Sequence, residues 1–89
     1  MKQVWKYDVQ LADMFTIDIP RGSRILTVQV QNGAPRIWAL VNPSEPRVHR
    51  RFRMAGTGHD IDDSDFTMAY IGSVQELGGA LVWHLFEEV

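Results

Sequence analysis

Four basic side chains fall on alternate positions of one short stretch, Arg47, His49, Arg51 and Arg53. In an extended chain, alternate residues project to one face at ~6.5 to 7 Å intervals. The planar fork of arginine matches a phosphate group bidentately, which the point charge of lysine does not. Gly56, Thr57, Gly58 and His59 follow directly. Two glycines let a backbone approach a ligand closely, and consecutive amides there can form a nest for phosphate oxygens, with Thr57 and His59 adding donors. Trp38, beside Arg36, offers a flat platform on which a base can stack. The expected ligand-binding set is therefore Arg47, His49, Arg51, Arg53, Gly56, Thr57, Gly58, His59 and Trp38, and the expected ligand is a phosphate-bearing small molecule. The same row also reads as a solvated sheet face or as edge charges that discourage aggregation, and the glycine loop as a plain reversal of the chain. Both readings stay open at this level.

Other chemistry is sparse. Asp60, Asp62, Asp63 and Asp65 form an acidic run, but it lacks the sharp-turn glycine and terminal glutamate of an EF-hand. His49, His59 and His84 have no metal-ligand spacing, and His84, crowded by tryptophan and leucine, reads as a structural histidine. No metal and no cofactor is expected. The glycine loop is not a Walker motif, because it lacks the lysine and the following helix. Ser23, Ser44, Ser64 and Ser73 have no local base, there is no cysteine, and the chain is not expected to be an enzyme.

These residues must be positioned by strands. Val4 to Val9 alternates with Trp5, Tyr7 and Val9 on one side, and Met14 to Ile19 repeats the pattern with Phe15, Ile17 and Ile19 inward. Arg24 to Gln31 is the clearest strand, with Leu26, Val28 and Val30 expected inward. Asn32-Gly33 then signals a hairpin, because both residues tolerate the positive φ of a tight turn. Ala34-Pro35 lengthens that loop or adds a bulge, and Arg36 to Asn42 is the return strand, with Ile37, Ala39 and Val41 on its inner face.

The prolines of Pro43-Ser44-Glu45-Pro46 impose a turn. Arg47 to Met54 is a fifth strand, its basic face opposed by Val48, Arg50, Phe52 and Met54, among which Arg50 reads as structural. Ala55 to Asp65 reads as an irregular loop, Phe66 to Val74 as a sixth strand, Glu76 to Gly79 as a turn, and Ala80 to Glu87 as the closing strand. Both faces of that last strand are apolar, Leu81, Trp83 and Leu85 against Val82, His84 and Phe86. One of the two sets is expected to meet a second subunit. The result is an all-β fold, a small antiparallel sandwich or barrel of six to seven strands.

The chain of 89 residues is expected to be a single domain, residues 1–89, close to the size at which one core only just offsets chain entropy. Without cysteine to form disulfides or a thiolate zinc site, a homo-oligomer through the C-terminal strand is the expected remedy. An apolar fraction of 45% places the chain among globular proteins, and a net charge of −2 argues against bulk nucleic-acid binding. No apolar run approaches the ~18 residues of a membrane span, and residues 1–3 do not begin a signal peptide, so no membrane partner and a cytoplasmic location are expected.

Four blocks, MKQVWKY, QNGAPRIWALVNP, RRFRMAGTGH and GGALVWHLFE, run in this order over about half the chain. In them the chain resembles a family of short uncharacterised proteins encoded by bacteriophages and prophages. The resemblance implies a phage source, hence the host cytoplasm, and transfers no catalytic residue. Small accessory phage proteins of this kind are often inhibitors of bacterial defence, including oligomeric sponges that sequester nucleotide-derived signals, an analogy and not a motif. The expected function is therefore a non-enzymatic, anti-defence binding protein that sequesters a phosphate-bearing small molecule. The alternative is a structural or interaction protein, either a virion accessory or an inhibitor that docks directly on a host protein.

Overall fold

The computed structural model describes residues 1–61 and 67–89, Leu77 by its backbone alone. Alternation builds the fold. Seven strands, β1 (Gln3–Asp8), β2 (Met14–Pro20), β3 (Arg24–Gln31), β4 (Ala34–Val41), β5 (Arg47–Gly56), β6 (Met68–Glu76) and β7 (Leu81–Glu88), form two antiparallel sheets. One has the order β1-β4-β3 and the other β2-β5-β7-β6. The expected all-β sandwich is what the chain forms, and no α-helix occurs among the described residues. None of its described helices is long and apolar enough to cross a membrane.

The core lies between the inner faces of the sheets. Ile37, Ala39 and Val41 of β4 face Phe15, Ile17 and Ile19 of β2, Phe52 and Met54 of β5, and Leu85 of β7, with Phe15 stacked on Phe52 at 5.4 Å. These are the inner faces that period-2 alternation assigned. Arg50 shares the inner side of β5, where Glu87 takes its Nε at 2.5 Å and its Nη2 at 2.7 Å, and the Ser23 carbonyl accepts from its Nη1. The half-buried guanidinium thereby supplies the partner that the buried Glu87 carboxylate needs, because an unpaired charge there costs several kcal/mol.

Three expectations are corrected. Asn32 and Gly33 have φ of 53° and 78° and pairing resumes at once between Gln31 and Ala34, so the turn has two residues and β4 begins at Ala34, not Arg36. In β3 the register shifts between Ile25 and Thr27, and this bulge turns Leu26 out, 44% exposed, while Ile25 packs on the core. Val30, near the hairpin end, is exposed as well, so only Val28 of the expected trio is buried. Finally β5 runs on past Met54 to Gly56, and β6 takes in Glu76, where a turn was expected; Leu77–Gly79 is a 3₁₀ turn. The expected start of the sixth strand at Phe66, and Asp62, Asp63 and Asp65 of the acidic run, lie outside the described residues.

A second register shift, between Tyr70 and Gly72, lets β6 present Tyr70 outward while Ile71 packs on the core. Gly72 then lies where β6 passes β3, and a Cβ there would be 3.2 Å from Val28 Cγ1. Glycine thus permits the close approach of the two sheets at this edge.

Candidate binding cleft at the glycine-loop end

The basic row of β5 does line the outer face of the four-stranded sheet, but its members are occupied. His49 Nδ1 meets Asp18 of β2. Arg51 and Arg53 share the carboxylate of Glu88, Nε to Oε2 at 2.8 Å and Nε to Oε1 at 3.1 Å, and that carboxylate is only 9% exposed. Arg51 also reaches Met14 Sδ at 2.7 Å. These partners sit on the strands either side of β5, which is why no local sequence pattern reveals them. Arg47 leaves the row: it donates to the carbonyls of Pro43 and Glu45, and its guanidinium lies 5.2 Å from the ring centroid of Trp5.

Trp38 is separated from the row altogether. It lies on β4, opposite Lys6 of β1 and Thr27 of β3, on the outer face of the other sheet. The expected union of Trp38 with the arginines therefore does not form. The cause is the Asn42–Pro46 connection, which carries the chain from one sheet to the other.

The glycine loop is built from a strand end. Gly56 closes β5, Thr57 N donates to Val82 O at 3.1 Å, and His59 N turns back to Gly56 O at 3.0 Å through Gly58, whose φ is 84°. Two of the consecutive amides that an anion nest requires are thus satisfied internally. The His59 ring lies over Gly56, where an added Cβ would be 2.8 Å from it, and meets Trp83 edge-on at 6.2 Å. The Trp83 Nε1 is buried without a partner.

Two clefts meet at His59. One, of about 190 Å³, is lined by Arg53, Asp13, Asp60, Met54 and Ile61 with His59, and the other, of about 220 Å³, by Gly56, Thr57, Leu81, Val82 and Trp83 with His59. Of the expected site residues, the structure brings Arg53, Gly56, Thr57 and His59 to these clefts. It leaves Arg47, His49, Arg51, Gly58 and Trp38 outside their walls.

Beside the second cleft runs a hydrogen-bonded chain from the glycine loop across β7 to β6 that sequence reasoning missed as an assembly. Thr57 Oγ1 lies 2.8 Å from His84 Nε2, and Tyr70 Oη 2.9 Å from His84 Nδ1. Tyr70 also packs edge-on against Phe86 at 5.1 Å. Each hydroxyl can donate or accept, so either neutral tautomer of His84 is satisfied, which makes it the structural histidine expected. The apolar outer face of β7 was the available signal, but the bulge in β6 hid the strand position of Tyr70. Among the described residues no group of three His, Asp or Glu side chains converges as a metal site would.

No curated protein and no solved structure matches this chain. A family model does, that of the domain of unknown function DUF7352, over residues 1–89, and the protein belongs to that family.

Proposed function

We propose that the protein is a non-catalytic binding module that sequesters a small molecule of nucleotide type, held in the double cleft and not across the arginine row. The observation that carries this reading is the meeting of two chemically different clefts at His59. Trp83, Leu81 and Val82 offer apolar walls for a flat ring, Asp13 and Asp60 accept from amino groups, and His59 donates to an acidic group beside Arg53, whose Nε is already held by Glu88. A nucleotide carries all three features. Small-molecule sites combine apolar walls with a few placed polar groups, which the two clefts offer side by side. The resemblance to phage-encoded proteins supports an anti-defence role in the host cytoplasm, with a nucleotide immune signal as the ligand. Assembly through the outer face of β7 belongs to the same proposal.

The test is a thermal-shift and calorimetry screen against cyclic di- and trinucleotides and ADP-ribose derivatives. Stabilisation by one of them, weakened about tenfold in His59→Ala and in Arg53→Gln, is the expected result. His49→Ala, outside the clefts and outside the Glu88 ion pairs, should leave the affinity within about twofold. A complete set of such ligands that gives no stabilisation removes this reading.

A further inference from the structure

The outer face of the three-stranded sheet carries an apolar centre that a solvated face does not need. Val4 of β1 sits opposite Leu40 of β4, and Trp38 is the next outward residue of β4. The bulge adds Leu26 from β3, beside the residue opposite Trp38. Val4 is 56% exposed, and the other sheet packs only on the inner side. In a regular strand Leu26 would have turned inward with Val28. The bulge, on the edge strand β3, re-aims it outward.

Among the described residues the rim of this patch carries an excess of positive charge. Its one carboxylate among them, Asp8, pairs with Arg36 at 2.5 Å. Lys6 has only the neutral Gln31 side chain, at 2.8 Å, as its hydrogen-bond partner among the described residues. Arg24, opposite Leu40, is exposed and has no ion-pair partner among the described residues. Tryptophan at the centre, aliphatic neighbours and an arginine-bearing rim are the composition of a protein-binding patch. One aromatic ring among three aliphatic side chains fits a protein better than a run of stacked bases.

We infer that this face docks an acidic protein segment, whose apolar side chains cover Val4, Leu26, Trp38 and Leu40 while its carboxylates meet Lys6 and Arg24. The surface lies on the opposite sheet from the double cleft and stands independently of the ligand reading. Charge complementarity selects the partner: an acidic segment gains two cations that have no ion-pair partner among the described residues, whereas a basic one meets repulsion.

The probe is a synthetic twelve-residue peptide alternating glutamate with leucine or phenylalanine, titrated into the full chain and followed by amide chemical shifts. Its lysine-for-glutamate counterpart, an all-glutamate peptide and oligothymidylate serve as comparisons. The acidic apolar peptide should shift amides of β1, β3 and β4, and the other three should leave them in place. Leu26→Lys, and separately Lys6→Glu with Arg24→Glu, should weaken binding about tenfold with the remaining spectrum preserved. Charge reversal should also flatten the salt dependence. Equal binding of the basic peptide, preferential binding of oligothymidylate, shifts confined to other strands, or no binding of the acidic apolar peptide each overturn the inference. So does concentration-dependent shifting of the same amides with no peptide present, which would make a second copy the occupant.

Discussion

Tyr7 is a side chain whose buried hydroxyl has no hydrogen-bond partner among the described residues. Burial raises its pKa above the ordinary 10.0, and the nearby Arg47 charge pulls it only partly back. At neutral pH the phenol is protonated in the folded and the unfolded chain alike, so it contributes no pH dependence there. Above about pH 10 the unfolded chain ionises first, and stability falls as the pH rises through the folded value. Tyr7→Phe removes both the unpartnered hydroxyl and this alkaline loss. The variant should be neutral or more stable by up to about 1 kcal/mol at pH 7, with a flatter decline in chemical denaturation above about pH 10. A steeper alkaline decline than the parent chain would contradict this account. Gly56 gives a second test at this scale. Its backbone accepts alanine, but the new Cβ would displace the His59 ring. Gly56→Ala should therefore change stability by less than about 1 kcal/mol while altering the Trp83 fluorescence that reports the ring contact.

Among the elements, β5 shows best what a sequence exposes and what it hides. Its two faces follow from alternation alone, since the strand is regular from Arg47 to Met54 and every second residue must point the same way. The same holds for β1, β2 and β4, whose inner residues were legible. In β3 and β6 a bulge interrupts the period, and no local pattern marks which residue is the extra one. Hence Leu26 was placed inward, and the outward position of Tyr70 was not read. Partners across strands were hidden for a different reason: Glu88, Asp18 and Glu87 reach β5 only through the pairing of strands within its sheet. Adjacent chain segments suggested that Trp38 joins the arginines, but the Asn42–Pro46 connection separates them. The Arg50–Glu87 pair is the element-scale prediction. Arg50→Ala leaves the buried Glu87 carboxylate unpaired and should cost about 3–5 kcal/mol, and Glu87→Ala, which leaves a half-buried Arg50 still bonded to the Ser23 carbonyl, should cost less, both read as a fall in the denaturation midpoint. Replacing both by apolar residues of similar volume should recover most of that loss. Equal costs for the single and double variants would show that the pair acts through packing instead.

For the whole molecule, the question is what the two apolar faces of β7 are for. The inner face needs no second subunit, since Leu85 is fully enclosed by the core and Trp83 packs against it. On the outer face, Tyr70 covers part of Phe86 and His84 from within the same chain, yet is itself 57% exposed. If copies assemble through β7, they do so through Tyr70 and Phe86, on the outer face. Leu85→Asp and Phe86→Asp should then separate. A carboxylate at Leu85 enters the core without a partner at a cost of several kcal/mol, and the chain should unfold whatever its assembly state. A carboxylate at Phe86 faces outward beside Arg53, its pairing neighbour, so the protomer should stay folded by circular dichroism. Native mass spectrometry should show the parent chain as an oligomer and Phe86→Asp as a monomer, because the interface cannot bury the new charge. A parent chain that is monomeric at micromolar concentration ends the assembly proposal. An oligomer that survives Phe86→Asp moves its interface off β7.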